Sequence, residues 1–331
     1  MKKLMFLLAT AALLFPAVAG AQETGAPIDA AKRHDVNRLA EDYFIPHRFD
    51  GKSILITGGA RGMGKYAAAR AVKEGGSVVI LDWLKEEGQL TTDSINKMGP
   101  GKAVFVYGDI RNDADCARAV EAAVTNFGKL DYAILNAGVM DGVYSGAPFE
   151  YNNPEQRSLM PSAVTGATNE YWEKVLAINA TGTFKSLRAV LKQLVNQGKG
   201  GAIVVVGSIA GMTGLAGNPA YVASKHAING LVQGAAIDYA PYGIRINSVN
   251  MAQTYTPMVE NAYKFVEAQE KAGKGFGMGK IKTMSILAYA DSKHRGAFPW
   301  EQASNMLYLI SDEASALTGA VIATDGGWTA Y

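Results

Sequence analysis

From Ser53 onward, short apolar runs alternate with longer amphipathic stretches. The runs Ser53–Thr57, Ser77–Leu81, Ala103–Tyr107, Tyr132–Asn136, Ala202–Gly207, Ile244–Asn250 and Ala320–Thr324 are short and β-rich, and they predict strands. Helices are predicted at Lys65–Lys73, Asp113–Asn126, Glu170–Asn196, Tyr221–Ala240 and Trp300–Ser311. Strict alternation of this kind predicts an α/β fold, with a single doubly wound parallel sheet and helices on both faces. Nothing after residue 50 resembles a repeat or a linker, so 50–331 reads as one domain. Two segments, 139–169 and 252–299, are rich in Gly, Pro and polar residues and break the alternation. They read as long loops of the kind that edge binding sites.

The chain before residue 50 has a different character. Lys2 and Lys3 precede an apolar run, Leu4–Val18, and the small residues Ala19, Gly20 and Ala21. This is the layout of a secretory signal peptide (residues 1–21) cleaved after Ala21, with an uncleaved membrane anchor as the other reading. No twin-arginine pair and no cysteine follows the run, so the expectation is Sec-type export to the periplasm with no membrane span after cleavage. Residues 22–49 are polar and mixed and form an arm ahead of the domain. The arm carries no recognisable chemistry. Lys and Arg number 32 against 30 Asp and Glu, a net charge of +2, so nothing favours a nucleic-acid partner. Cys116 is the only cysteine, which excludes internal disulfides and multi-cysteine metal sites. A small-molecule partner and no metal are expected.

Chemistry first appears directly after the first strand, in Thr57-Gly58-Gly59-Ala60-Arg61-Gly62-Met63-Gly64 followed by a helix. Glycines at a strand-to-helix turn let backbone N–H groups approach a pyrophosphate at the positive end of the helix. The unit is therefore Rossmann-like. Asp82 closes the second strand 24 residues after Gly58, where a carboxylate can accept hydrogen bonds from both adenosine ribose hydroxyls. That favours NAD, because a 2′-phosphate would meet a like charge. Arg61 argues for NADP, since a guanidinium can pair with such a phosphate.

Farther along, Asp109-Ile110, Asn136-Ala137-Gly138, Asn179, Ser208 and Tyr221-Val222-Ala223-Ser224-Lys225 follow in order. With the glycine turn, these residues resemble the short-chain dehydrogenase/reductase family from about Phe49 to the C-terminus. The resemblance implies an enzyme that moves hydride between NAD(H) and an alcohol or ketone. It also implies a catalytic group of Asn179, Ser208, Tyr221 and Lys225. Cofactor contacts would come from Gly58, Arg61, Gly62, Met63, Gly64, Asp82, Asp109, Ile110, Asn136, Ala137, Gly138, Tyr221, Lys225 and Thr256. Asp109 would contact adenine, and Asn179 would hold a water linking Lys225 to solvent. Independently of the resemblance, Tyr221 and Lys225 lie four apart on a helix and share a face. An ammonium beside a phenol of pKa about 10 favours the phenolate and makes it a usable base. Ser208 would hold the substrate oxygen at Tyr221.

The chain departs from that family at two places. Met251-Ala252 stands where the family carries Pro-Gly before its nicotinamide-contacting threonine, here Thr256, and Ala252 would be strained if the backbone needed φ > 0. An insertion around Tyr144–Thr168, with Tyr144, Phe149, Tyr151 and Met160, lies near the expected cleft together with Tyr255, Met258, Phe265 and Phe276. These side chains suggest a fairly hydrophobic substrate, or else loop or subunit packing. The resemblance further implies a homodimer or homotetramer formed by the helices beginning near Asp113 and Glu170 and the helix holding Tyr221. Two other functions stay open. One is an NADP-linked carbonyl reductase, and the other is an exported non-catalytic dinucleotide-binding or scaffold protein.

Overall fold

A computed structural model describes residues 34–143, 153–271 and 285–330. The signal peptide expected at 1–21 lies outside the described residues, as do Tyr144, Phe149, Tyr151 and Phe276. The elements run β1 (Ser53–Thr57), α1 (Gly62–Lys73), β2 (Ser77–Asp82), α2 (Lys85–Ile95), β3 (Lys102–Tyr107), α3 (Asp113–Phe127) and β4 (Tyr132–Leu135). Then come α4 (Pro154–Ser158), α5 (Asn169–Leu176), α6 (Thr183–Gln197), β5 (Gly201–Val206), α7 (Pro219–Tyr239) and β6 (Ile244–Met251). The last are α8 (Pro257–Lys271), α9 (Ile286–Ala290), α10 (Pro299–Ile310) and β7 (Val321–Thr324). The seven strands form one parallel sheet in the order β3-β2-β1-β4-β5-β6-β7. This is the doubly wound architecture that the alternation predicts.

The period-two geometry of a strand splits each apolar run between two cores. Leu55, Val79, Leu81, Ala133, Leu135, Ile203 and Val205 face α3, α6 and α7, packing against Ala119, Leu187, Leu191, Ile228 and Val232. Ile54, Ile56, Val78, Ile80, Ile134 and Val204 face α1 and α10, against Ala68, Val72, Met306, Leu307 and Ile310. Strands buried on both sides must read as continuous apolar runs, which is why their positions are legible in the sequence.

The order reverses between β1 and β4, whose paired ends are Thr57 and Leu135. A crevice opens at such a reversal, beyond the carboxyl ends of the strands. The expected helix Glu170–Asn196 is present but not uniform. Residues 177–182, Asn179 among them, form a π-helical turn between α5 and α6. The segment 252–299 is not simply a loop, because it contains α8 and α9. Phe265 is the buried residue of α8, and its outer face carries the i,i+4 ion pairs Glu260–Lys264 and Glu267–Lys271.

The arm packs against the domain. Phe49 is fully buried and meets the Tyr132 ring edge-on. Glu74, also fully buried, accepts hydrogen bonds from Arg48 Nε at 2.6 Å, Arg70 Nε at 2.7 Å and the Ile45 amide at 2.8 Å. A carboxylate buried between two guanidiniums is tolerable only while all three charges are present. Glu74→Ala, which strands two buried arginines, should cost about 3–5 kcal/mol of stability in urea unfolding. A loss below about 1 kcal/mol would show that the cluster is solvated and does not anchor the arm.

Candidate active site

The glycine turn is shaped by close backbone approach. Gly58 has φ +68°, and a Cβ there would lie 2.8 Å from the Ala137 Cα. A Cβ on Gly64 would lie 2.3 Å from the Gly58 carbonyl oxygen, so the first turn of α1 can pack here only without one. Asn136 Nδ2 donates to the Gly58 carbonyl at 2.8 Å, and Thr57 Oγ1 accepts from the amides of Asn136 and Ala137 at 3.1 and 3.2 Å. Asn136-Ala137 thus binds the ends of β1 and β4 together. Arg61 precedes α1 without capping it through its side chain, and the first turn holds no acidic residue. Gly62 is at φ +57°, and Met63 packs against the α1-side core. A helix start, whose first amides have no intrahelical acceptor and whose dipole is positive, fits an anionic pyrophosphate.

Asp82, at the end of β2, is 6% exposed. Its Oδ2 accepts from the Ala60 amide at 2.9 Å and its Oδ1 from the Leu84 amide at 3.0 Å, so the carboxylate also braces the glycine turn. Burial raises its pKa, opposed by those amides and by Arg61. The Trp83 amide acts on the same carboxylate, which still has acceptor capacity for a ribose hydroxyl. These residues fit a dinucleotide. Arg61 itself lies 3.7 Å from Glu87. Asp109, after β3, is turned to Arg111, which donates to it through its amide and its Nε, both at 2.8 Å. Burial pushes the Asp109 carboxyl up, but Arg111 outweighs it and leaves the pKa below the ordinary value. Ile110 is buried beside Gly182. Thr256 lies across the turn, its methyl 3.6 Å from where a Gly62 Cβ would be.

The second cluster lies on β5, α7 and the π turn. Lys225 Nζ donates to the Val206 carbonyl at 2.9 Å and sits 5.6 Å from the Tyr221 ring centroid. A Cβ on Gly138 would meet Asn179 Oδ1 at 3.2 Å and Lys225 Nζ at 3.5 Å, so glycine there lets the two approach. Asn179 is fully buried. Its Oδ1 accepts from the Val139 amide at 2.8 Å, and its Nδ2 donates to the Val139 carbonyl at 2.8 Å and to Ser224 Oγ at 3.0 Å. With both amide protons committed, a water at this side chain would have only the second lone pair of Oδ1. Burial pushes the Tyr221 phenol up, and a hydrogen bond with Ser208 opposes that. Burial pushes Lys225 down, to about 8.

Ser208 has support that the sequence reading misses. Its amide donates to Asn250 Oδ1 at 3.1 Å, and Asn229 Nδ2 donates to the same oxygen at 3.1 Å. Asn250 Nδ2 donates to Ser248 Oγ at 3.1 Å, and Ser248 Oγ to Asn229 Oδ1 at 2.9 Å. Asn229 is one turn beyond Lys225, so this buried network ties the Ser208 segment to the helix that holds Tyr221. The available signal was Asn247, Ser248 and Asn250 standing inside a strand whose other residues, Arg245 apart, are apolar. The feared strain at Ala252 does not arise, because among described residues outside glycine only His47 and His294 have positive φ.

This is a dinucleotide-type crevice joined to a buried Ser–Tyr–Lys group. A short chain dehydrogenase family model matches residues 52–267. The protein is 36% identical to a 3beta-hydroxysteroid dehydrogenase of Mediterraneibacter gnavus over 293 residues, covering 87% of this chain and 98% of the relative. It is 34% identical to a cyclohexanol dehydrogenase of an Acinetobacter species, over 86% of this chain and 98% of that protein. A crystal structure of a short chain dehydrogenase from Mycobacterium paratuberculosis bound to NAD matches with a TM-score of 0.71 and 26% identity, covering 86% of this chain and 100% of the other. The chain belongs to the short-chain dehydrogenase/reductase family, whose enzymes act on CH–OH groups.

The Lys225 amine carries a stability cost. Its pKa is depressed in the folded chain, from 10.5 to about 8. Below pH 8 both states are protonated and the full penalty, roughly 3 kcal/mol, acts against folding. Between pH 8 and 10.5 the unfolded chain binds more protons, so stability rises with pH and the penalty disappears. Lys225→Met should therefore stabilise the protein at pH 7 by on the order of 2 kcal/mol after loss of the Val206 hydrogen bond. That gain should shrink toward pH 10.5. Thermal unfolding from pH 7 to 10.5 checks this, and a variant less stable than the parent at pH 7 would contradict it.

Proposed function

We propose that this protein is an NAD-dependent dehydrogenase interconverting a fairly hydrophobic, alicyclic secondary alcohol and its ketone, with Tyr221 as the proton-transfer group. The observation that carries the reading is the burial of Ser208, Tyr221 and Lys225 together, beside the Gly138–Asn179 contact and next to the glycine turn. A bound nicotinamide dinucleotide supplies the hydride acceptor or donor. The glycine turn and the α1 amides would hold its pyrophosphate, Asp82 its adenosine ribose, and Lys225 and Thr256 its nicotinamide end. Ser208 holds the substrate oxygen. Tyr221 Oη takes the hydroxyl proton during oxidation and returns it during reduction. Lys225 biases the phenol toward phenolate, and Ser208, fixed through Asn250, keeps the oxygen in line.

Asp82 supports NAD, since a 2′-phosphate would approach a buried carboxylate already bound to the turn. Arg61 would oppose it, but Glu87 stands at 3.7 Å and offsets the guanidinium charge. Support for an alicyclic substrate comes from the relatives, named for a hydroxysteroid and for cyclohexanol. Val139 and Met160 add buried apolar surface where the Gly142 amide, just past β4, donates to the Leu159 carbonyl.

In fluorescence titration NADH should bind more tightly than NADPH, and Asp82→Ala should narrow the gap by about tenfold, an effect of roughly 1.4 kcal/mol. A parent that prefers NADPH would transfer the selectivity to Arg61. With NAD+ and cyclohexanol-type alcohols, Tyr221→Phe should retain NADH binding while turnover falls by on the order of 10² to 10⁴. Near-parental rates in that variant would remove Tyr221 from the chemistry. A parent that binds NADH but turns over no alcohol would instead favour the scaffold reading.

A further inference from the structure

We propose that Asp35 and Arg38 of the N-terminal arm are positioning residues that slow cofactor release, by holding the Gln253–Thr256 stretch against the glycine turn. The proposal rests on the dinucleotide reading of that turn. The arm lies before residue 52, where the family match begins, so it is not part of what the match covers.

The contacts form a continuous path. Asp35 accepts from the Ser292 amide through Oδ1 and from Ser292 Oγ through Oδ2, both at 2.7 Å, and Arg295 lies 3.4 Å from Oδ2. Arg38 Nη1 donates to both oxygens of Glu301 at 3.4 and 3.1 Å, and its Nη2 donates to the Arg295 carbonyl at 2.9 Å. Trp300 Nε1 donates to the Leu39 carbonyl at 2.9 Å, and Tyr66, on α1, donates to Glu41 at 2.7 Å. The arm therefore fastens residues 292–301 to the helix that begins at the glycine turn.

Residues 292–301 in turn hold the Thr256 stretch. The Ala297 amide donates to the Gln253 carbonyl and the Tyr255 amide to the Ala297 carbonyl, both at 3.0 Å, in a bridge centred on Thr254. The Gly296 amide donates to Tyr255 Oη at 3.1 Å. Four rings run the same way: Tyr66 to Trp300 at 5.5 Å, Trp300 stacked on Phe298 at 4.4 Å, and Phe298 to Tyr255 at 5.6 Å. Thr256 is the next residue, and it faces Gly62.

A second observation shows that the 291–296 turn is held rather than relaxed. His294 has φ +51°, a left-handed conformation unusual for a residue with a side chain. Such a residue persists where its surroundings over-determine it. Here the surroundings are Asp291, which accepts from the Lys293 amide and the Arg295 side chain, and Asp35, which accepts from Ser292 and Arg295. The arm residues thus act on the cofactor side through two bridged segments and touch no substrate.

The experiment uses the purified protein with its arm intact. NADH release is followed by stopped-flow displacement for the parent, for Arg38→Lys and for Asp35→Ala/Arg38→Ala, with thermal unfolding measured alongside. The double variant should release NADH about two- to thirtyfold faster, the span by which changes outside a site alter a coupled one. Its KM for NAD+ should rise while kcat does not fall, and Arg38→Lys, which keeps part of the contact set, should lie between. Should the double variant fail to fold, Asp35→Asn, which keeps one acceptor for Ser292, takes its place with the same ordering. Release at the parental rate, with only the melting temperature lowered, would overturn the proposal and leave the arm a stabilising strap. A parent that binds neither NADH nor NADPH would overturn the dinucleotide reading itself, which the release rates separate from the first failure.

Discussion

The hydrogen bonds between the ends of β1 and β4 are the constraint on which the site depends. Thr57 Oγ1 accepts two amides from the Asn136-Ala137 segment, and Asn136 returns a bond to the Gly58 carbonyl. A parallel sheet whose order reverses at this seam sends its outgoing chains to opposite faces, and these bonds tie the first residues past the paired ends, Gly58 and Asn136-Ala137, to each other's strands. With the seam closed, Gly58 is pressed onto the Ala137 backbone and α1 starts in a fixed direction. The next residue, Gly138, faces Asn179 Oδ1 and Lys225 Nζ where a side chain would stand. One short segment thus sets both the turn suited to a pyrophosphate and the surroundings of the proposed proton-transfer tyrosine.

The same logic explains the burial of so many polar groups beside the cleft. Asn179, Ser208, Ser224, Lys225, Asn229, Ser248 and Asn250 are all within a few per cent of complete burial. A buried polar group is costly unless satisfied, and here nearly every one is bonded to another or to a backbone group. Lys225 is the exception in energy rather than in geometry, because its ammonium has one carbonyl partner and low-dielectric surroundings. The chain keeps a poorly compensated charge beside a buried phenol. Under the proposed mechanism, stability is lost where the proton transfer would use that charge, as the stability–activity trade-off anticipates.

Local signals made most of this readable in advance. Strands buried on both faces announce themselves as apolar runs, and Tyr221 and Lys225 as well as Gly58, Gly62 and Gly64 lie close enough in sequence for spacing alone to mark them. Two kinds of feature escape such a reading. The first is the polar helix. In α2, Gly88 lies so close to Phe105 that a Cβ would reach within 2.2 Å of the ring, so the helix packs through a small residue rather than an apolar stripe. The second is the long-range support. Asn250 reaches Ser208 across 42 positions, and Asn136 reaches Gly58 across 78, distances at which no local pattern survives. Asp82 illustrates both limits. Its position marked it as a ribose ligand, while its bond to the Ala60 amide, which shapes the turn, was visible only in three dimensions.

The arm extends this division between chemistry and support. Chain ordered along a surface without helix or strand loses conformational entropy at each residue, and that loss must be offset by specific contacts. The contacts concentrate at two places, the Arg48–Glu74–Arg70 cluster at its root and the Asp35 and Arg38 bonds at its tip. The root would suffice to anchor Phe49 in the core. The tip reaches the turn at Ser292 and Arg295 and Glu301 in the first turn of α10, the stretch bridged to Tyr255 and Thr256. If residues 1–21 direct export, the folded protein meets its cofactor where the dinucleotide is scarce. Slow release then matters more than fast exchange, because a dinucleotide lost there is not readily replaced. An arm tip that acts on release rather than on the reacting groups would answer that demand and leave the Ser208, Tyr221 and Lys225 geometry unchanged.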